Sequence, residues 1–294
     1  MIEITTPATT ANIGPGYDTL GISLNLYNKI VFKNGNIDVN IVGCEKKFQN
    51  KENLIYRSFR ETEKFLGLKN KNVDIVIDSN IPVSRGLGSS AACVVSGVIG
   101  AYGIHDLNIN RDEILEISTK IEGHPDNIAP CIYGGLTASF VDEEQIYTDK
   151  FEVNRDLFFY ALIPNFELST LKSREVLPKE VSHNDAVFNL SRLPILINSL
   201  KTGNMLNLKA AIKDRLHQPY REKLIHEIED IRKIMYTQKE FVYYLSGAGP
   251  TIMCISKSKE LAEIILKELK NLKKDWRIKK LTVDNEGVKY RRIK

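Results

Sequence analysis

Apolar residues fall in short runs along the chain, and the spacing within each run predicts its element. Residues 73–77 (VDIVI) alternate apolar and polar positions as a half-buried strand does, while 53–66 and 113–121 carry apolar residues at helical spacing. Residues 91–102 are apolar on nearly every side, which predicts a buried helix. A buried strand follows at 157–163 (LFFYALI), then helical stretches at 171–176, 186–200, 205–216 and 222–235. The chain next offers a strand at 241–245, a glycine turn and a strand at 251–255. It closes with a helix carrying Leu261, Ile264, Ile265, Leu269 and Leu272 on one face, and an alternating strand at 278–283. This mixture predicts an α+β protein divided near residue 150, into units 1–150 and 151–294.

With 294 residues, 43% of them hydrophobic and 27% charged, the chain has the balance of a globular protein able to bury a sizeable core. The net charge of +4 is spread along the sequence, so no footprint for nucleic acid stands out, while small anionic substrates are compatible with it. Cys44, Cys93, Cys131 and Cys254 lie far apart with no paired spacing, which indicates neither a disulfide framework nor a zinc site. The opening MIEITTPATTANIG lacks a basic stretch followed by an apolar core, and no apolar run reaches the roughly 20 residues of a membrane span. The expectation is a soluble cytoplasmic protein without nucleic-acid or membrane partners.

Three stretches rich in small residues carry the candidate chemistry. PVSRGLGSSAA (82–92) follows a strand and opens a helix; Gly86 and Gly88 permit close backbone approach, and Ser89 and Ser90 stand where helix caps stand. Free amides and the positive end of the helix dipole then face the loop mouth, a setting for phosphate, although a tight turn before an ordinary helix would read the same way. No GK[ST] ends the loop, so it is not a Walker A sequence. PATTANIGPGYDTLG (7–21) leaves no room for a packed strand and puts Asn12 and Asp18 on one short loop, or makes an Asx turn. SGAGPT (246–251) sits between two apolar strands and could be a hairpin loop alone. Three such segments in one chain of this size are hard to explain by turns alone.

Together these segments resemble the three motifs of the GHMP kinases, whose second motif P-x-x-x-G-L-G-S-S-A-A stands intact at 82–92. PATTANIGPGYD, EGHPDNIAP (122–130) followed by Gly134 and Gly135, and DRLHQPYR (214–221) resemble the homoserine kinase branch of that family. The resemblance covers essentially the whole chain. It implies an amino-terminal α+β domain with a left-handed βαβ unit, a carboxy-terminal ferredoxin-like domain, and ATP and substrate in the cleft between them. It further implies phosphorylation of the side-chain hydroxyl of L-homoserine on the way to threonine, with ATP and Mg²⁺ as cofactors, and a homodimer as a partner state.

By the same resemblance Pro82, Arg85, Gly86, Leu87, Gly88, Ser89, Ser90, Ala91 and Ala92 hold the ATP phosphates, and Ser90 and Glu122 are the Mg²⁺ ligands. A hydroxyl, a carboxylate and phosphate oxygens suit that hard cation. Asn12, Asp18, His124, Thr170, Arg174, Arg221, Ser246, Gly247 and Gly249 fall to the substrate, with the two guanidinium groups placed to grip a carboxylate and Asp18 to meet an ammonium. Mevalonate-type relatives place an aspartate base seven residues before the double glycine; here that position is Asn127, an amide that cannot abstract a proton. With Glu122 it forms the expected catalytic pair, Asn127 orienting the hydroxyl or the γ-phosphate. The competing readings are a kinase of the same fold for another small alcohol, mevalonate-like or a sugar, and a non-catalytic nucleotide binder.

Overall fold

The computed structural model describes residues 1–236 and 241–293, and the chain begins there with two long strands absent from the expected elements, although Leu20, Ile22, Leu24, Leu26, Ile30 and Phe32 alternate along the second. Strand β1 (Ile2–Asn12) pairs antiparallel with β2 (Gly16–Asn34), from Ile2 opposite Phe32 to Asn12 opposite Gly16, with irregularities at Pro7/Ala8 and Ala11/Asn12. The expectation that residues 7–21 hold no packed strand is therefore wrong. Ala8, Thr9, Thr10 and Ala11 are all fully buried, so β1 is covered on both faces. A strand buried on both sides loses its alternation, and small side chains are what let its neighbours approach.

Next come β3 (Val39–Val42), α1 (Leu54–Phe65), β4 (Val73–Asp78), α2 (Ser89–Ile104), α3 (Arg111–Glu122), α4 (Ile128–Tyr133), β5 (Leu136–Asp142) and β6 (Gln145–Phe151). β3 and β4 are parallel and are joined across α1; the other pairings of this sheet are antiparallel. β2 is long enough to serve two partners, Leu20 to Ile22 pairing with β5 and Lys29 to Asn34 with β4. The helices begin where side chains can cap them: Asn53 accepts from the Ile55 amide at 2.9 Å, and Asn110 from the Asp112 amide at 2.8 Å.

The second sheet runs β10-β7-β9-β8, all antiparallel, from β7 (Phe158–Pro164), β8 (Phe241–Leu245), β9 (Ile252–Ser256) and β10 (Trp276–Leu281). Between β7 and β8 lie α5 (Thr170–Glu175), α6 (His183–Thr202), α7 (Met205–Ala211), α8 (Gln218–Arg221) and α9 (Ile228–Tyr236); α10 (Leu261–Leu269) joins β9 to β10. This is the ferredoxin-like strand order. The helical stretch expected at 205–216 ends early, because Asp214 accepts from the amides of Leu216, His217 and Gln218 and turns the chain after α7, and that at 222–235 is divided, its first turn ending at Ile225 in extended backbone before α9.

Strand β11 (Lys289–Arg292) then leaves this half and pairs antiparallel with β1. The chain passes from the first sheet to the second between Phe151 and Phe158, and β11 brings it back to the first.

Three apolar clusters fill the interior. One lies under α1, α2 and α3 and stacks Phe32 on Phe59 with centroids 5.7 Å apart; the second joins the sheets, with Ala8, Ile22 and Leu24 alongside Phe159, Tyr244 and Met253; the third packs α9 and α10 on the second sheet. Among the described residues no helix is long and apolar enough to cross a membrane. Replacing the fully buried Phe59 by Ala should cost roughly 3–5 kcal/mol in urea unfolding, and a loss below about 1 kcal/mol would show that this stack does not anchor α1.

Candidate active site

The loop between β4 and α2 ends on Gly88, which caps α2 in the left-handed region at φ 67°. A Cβ there would stand 1.9 Å from Thr9 Oγ1, so only glycine lets the loop lie on β1, where the Thr9 amide donates to the Leu87 carbonyl at 3.2 Å. Gly86, Gly88, Ser89, Ser90 and Ala91 line a cavity of about 470 Å³ that also reaches Glu122, Asn127, Asp18 and both expected arginines. Other expected phosphate contacts fall elsewhere. Leu87 and Ala92 are buried in the core and Pro82 is off the cavity wall. Arg85 touches the cavity, but its guanidinium donates to the carbonyls of Val83, Pro164 and Asn165, so it ties the loop to the end of β7.

Helix α3 delivers Glu122 to the α2 start, where Ser90 Oγ donates to Glu122 Oε2 at 2.7 Å. Burial pushes the Glu122 carboxyl above its usual range, and the Ser90 bond works against that. His124 Nδ1 donates to the buried Asp126 carboxylate at 2.6 Å, the chief reason its imidazole is raised. Asn127 caps α4 by position, yet its side chain makes no capping bond; its Oδ1 accepts from Thr9 Oγ1 at 2.7 Å.

Charge of both signs gathers elsewhere on the same cavity. Arg174, on α5, donates from Nη1 and Nη2 to both oxygens of Asp18 at 3.0 and 3.1 Å, and also to Tyr17 Oη at 3.0 Å. Arg221 is 2% exposed, and Nε and Nη1 donate to the carbonyls of Ser173 and Gly247. No carboxylate among the described residues pairs with it, and burial weakens its hold on its proton. It lies 5.0 Å from the Tyr17 ring, which stacks on His217 at 5.2 Å. His217 in turn donates from Nε2 to the Gly14 carbonyl at 2.9 Å, and burial lowers the pKa of its imidazole. The DRLHQPYR segment thus forms an Asp214-capped turn that aims one buried cation at the cavity.

Some expected substrate contacts have their bonds spent internally. Asn12 accepts from the Asp18 amide at 3.0 Å and donates to the Gly247 carbonyl at 2.8 Å, so it shapes the wall. Ser246 is fully buried off the cavity and bonds Thr10 Oγ1 at 2.8 Å and the Gly86 carbonyl, pinning the SGAGPT hairpin to β1 and to the phosphate loop. Thr170, His124, Gly247 and Gly249 do line the cavity. Sequence reasoning missed Thr9, although it stands inside PATTAN, and also Cys44, Phe48, Asn53 and Ile55, which line the wall and carry no local signal.

A phosphate-sized loop, a hydroxyl–carboxylate pair and a cluster of cations around one cavity describe a phosphotransfer site. Residues 53–135 match the model for the GHMP kinases N terminal domain and residues 196–275 that for the GHMP kinases C terminal. The chain belongs to the GHMP kinase family and is a kinase, with the ATP use that the family entails. It is similar to the homoserine kinase of Clostridium botulinum, 42% identical over 290 residues and 98% of each chain, and to that of Clostridium beijerinckii, 43% identical over 291 residues and 98% of each. The crystal structure of homoserine kinase from Cytophaga hutchinsonii has the same fold, with a TM-score of 0.87 at 24% identity over 98% of this chain and 96% of that one.

Two glycines near the site should separate geometry from space. Gly88→Ala meets Thr9 at 1.9 Å and should weaken ATP binding by at least about tenfold in calorimetry. Gly123, at φ 96° with open space around it, should on replacement by Ala cost roughly 1–2 kcal/mol of stability and leave ATP affinity intact. Equal loss of affinity in both variants would contradict this picture.

Proposed function

We propose that this kinase transfers the γ-phosphoryl group of ATP to the side-chain hydroxyl of L-homoserine, with Mg²⁺. The observation that carries the reading is the Asp18–Arg174 pair beside the unpaired, buried Arg221, on the cavity that also holds the phosphate loop. An amino acid brings a carboxylate and an ammonium, and can exchange with that internal ion pair without leaving either charge alone: its ammonium meets Asp18 while its carboxylate meets the arginines. A neutral alcohol offers nothing to Arg221 and no reason for Arg174 to release Asp18. The homoserine kinase names of relatives at this similarity support the same choice.

The residues also suit the cation. Among the described residues no three acidic, histidine or cysteine side chains are placed to hold a metal ion together, whereas Ser90 Oγ and Glu122 Oε2 sit together at the phosphate loop. Mg²⁺ takes few protein ligands and completes its shell with phosphate and water, so this pair fits it. When bound it would neutralise charge on the phosphates. The amides at the start of α2 would hold those phosphates at the positive end of the helix dipole. The apolar wall at Phe48, Ile55 and Ile77 suits a flat base.

In the reaction, the homoserine hydroxyl oxygen bonds to the γ-phosphorus, the bond to the bridging oxygen of ADP breaks, and one proton is released. In this reading no side chain acts as the base: the Asn127 amide cannot take a proton, so the proton leaves late, to phosphate or water. Asn127 orients the reacting oxygen by donation.

ADP release should be measured with Mg-ATP against L-homoserine, D-homoserine, L-threonine, mevalonate and galactose. Turnover of L-homoserine in clear preference is expected; mevalonate or galactose as the best substrate would overturn the zwitterion reading. Arg221→Ala should raise KM for homoserine roughly 10–100-fold and leave that for ATP within about twofold. Glu122→Gln should lower kcat and demand more Mg²⁺ for half-maximal rate. Equal effects of Arg221→Ala on both substrates would remove the clamp.

A further inference from the structure

We infer that Thr9 is a positioning residue for phosphoryl transfer, holding the Asn127 amide through Thr9 Oγ1–H···Oδ1 so that the amide NH₂ faces the reacting groups. The inference rests on the role of Asn127 proposed above.

The geometry supplies three independent reasons. First, Asn127 stands at the cap position of α4, where an asparagine side chain ordinarily accepts from a helix amide, and here it does not. Its oxygen is taken instead by Thr9 at 2.7 Å, across 118 residues of sequence. Second, with Oδ1 committed, Nδ2 is the end left to the cavity that Asn127 lines, and no bond to a described residue holds it. An amide that must donate to an attacking or phosphoryl oxygen needs its rotation fixed, because the flipped amide would present a lone pair where a proton is required. Third, Thr9 is itself immobilised. It is fully buried in β1, its amide donates to Leu87 at 3.2 Å, and its hydroxyl lies against the Cα of Gly88 at the α2 start. One side chain therefore touches both the loop that takes the phosphates and the amide that orients the acceptor, and it sets their relative position. A small misplacement of reacting groups can cost about a hundredfold in rate.

The test is a double-mutant cycle in the full chain, with the preferred alcohol of the substrate panel. Thr9→Val keeps the shape and removes the hydroxyl; it should lower kcat by about tenfold or more while KM for ATP and for the alcohol stay within about threefold. Thr9→Ser, which keeps the hydroxyl, should recover most of kcat. In an Asn127→Ala background Thr9→Val should change kcat by less than about twofold, because a residue that acts through Asn127 has nothing left to hold. Should the valine crowd Gly88 and impair folding, Thr9→Ala carries the same prediction without the added bulk.

If Thr9→Val lowers kcat as much in the Asn127→Ala background as in the native chain, or raises KM for ATP with kcat unchanged, Thr9 merely supports the loop and the inference falls while Asn127 keeps its role. If Asn127→Ala alone leaves kcat intact, the reading of Asn127 falls and that of Thr9 with it.

Discussion

A short stretch of small, buried residues in β1 sets the arrangement of the site in this protein. From Ala8 to Asn12 β1 is buried on both faces, and three segments of the cavity wall lean on it. The phosphate loop rests on Thr9, the SGAGPT hairpin bonds to Thr10 through Ser246 and to Ala11 through the Gly247 amide, and Asn127 reaches Thr9 from α4. Larger residues at these positions would separate the pieces by more than a hydrogen bond can span. The site is thus assembled by close backbone approach, and its side chains act from positions that β1 sets.

Within that frame charge is arranged unevenly. One cation, Arg174, is neutralised by Asp18, while the more buried Arg221 bonds only carbonyls. A buried guanidinium without a carboxylate costs free energy that an arriving anion can recover, which is a general way for a fold to hold affinity in reserve. Tyr17 stacks on the ring of His217 and lies within 6.0 Å of both guanidinium groups, so one aromatic ring borders both cations. The two arginines therefore present different chemistry in the free protein, although the sequence makes them look alike.

The return of β11 to the first sheet has a mechanical consequence. Because the last strand pairs with β1, and the Thr282 carbonyl accepts from the Asn25 amide, the second half of the chain is tied back to the first beside the strand that carries the site. The second apolar cluster, shared by the two sheets, does the same from within. The two halves of the chain are consequently joined both by strand pairing and by a shared core.

Residues adjacent in the chain were legible in advance. Helical and alternating periodicity located α1, α3 and β4, where burial is one-sided, and continuous apolar runs located α2, β7, β8 and β9, which are buried on nearly every side. The intact GLGSSAA run likewise announced a helix start able to face an anion, since capping and the dipole are properties of a few consecutive residues. What only the tertiary structure decided is how distant residues divide the work. The second half of β1 and the first part of β2 read as loop because small residues, glycines and a proline fill them in place of an apolar pattern, and only pairing with each other makes them strands. Arg85, Asn12 and Ser246 carry the right groups for ligands, yet partners from remote segments consume their bonds. Thr9 acquires a partner only when α4 folds back onto β1, and no spacing along the chain encodes a bond across 118 residues.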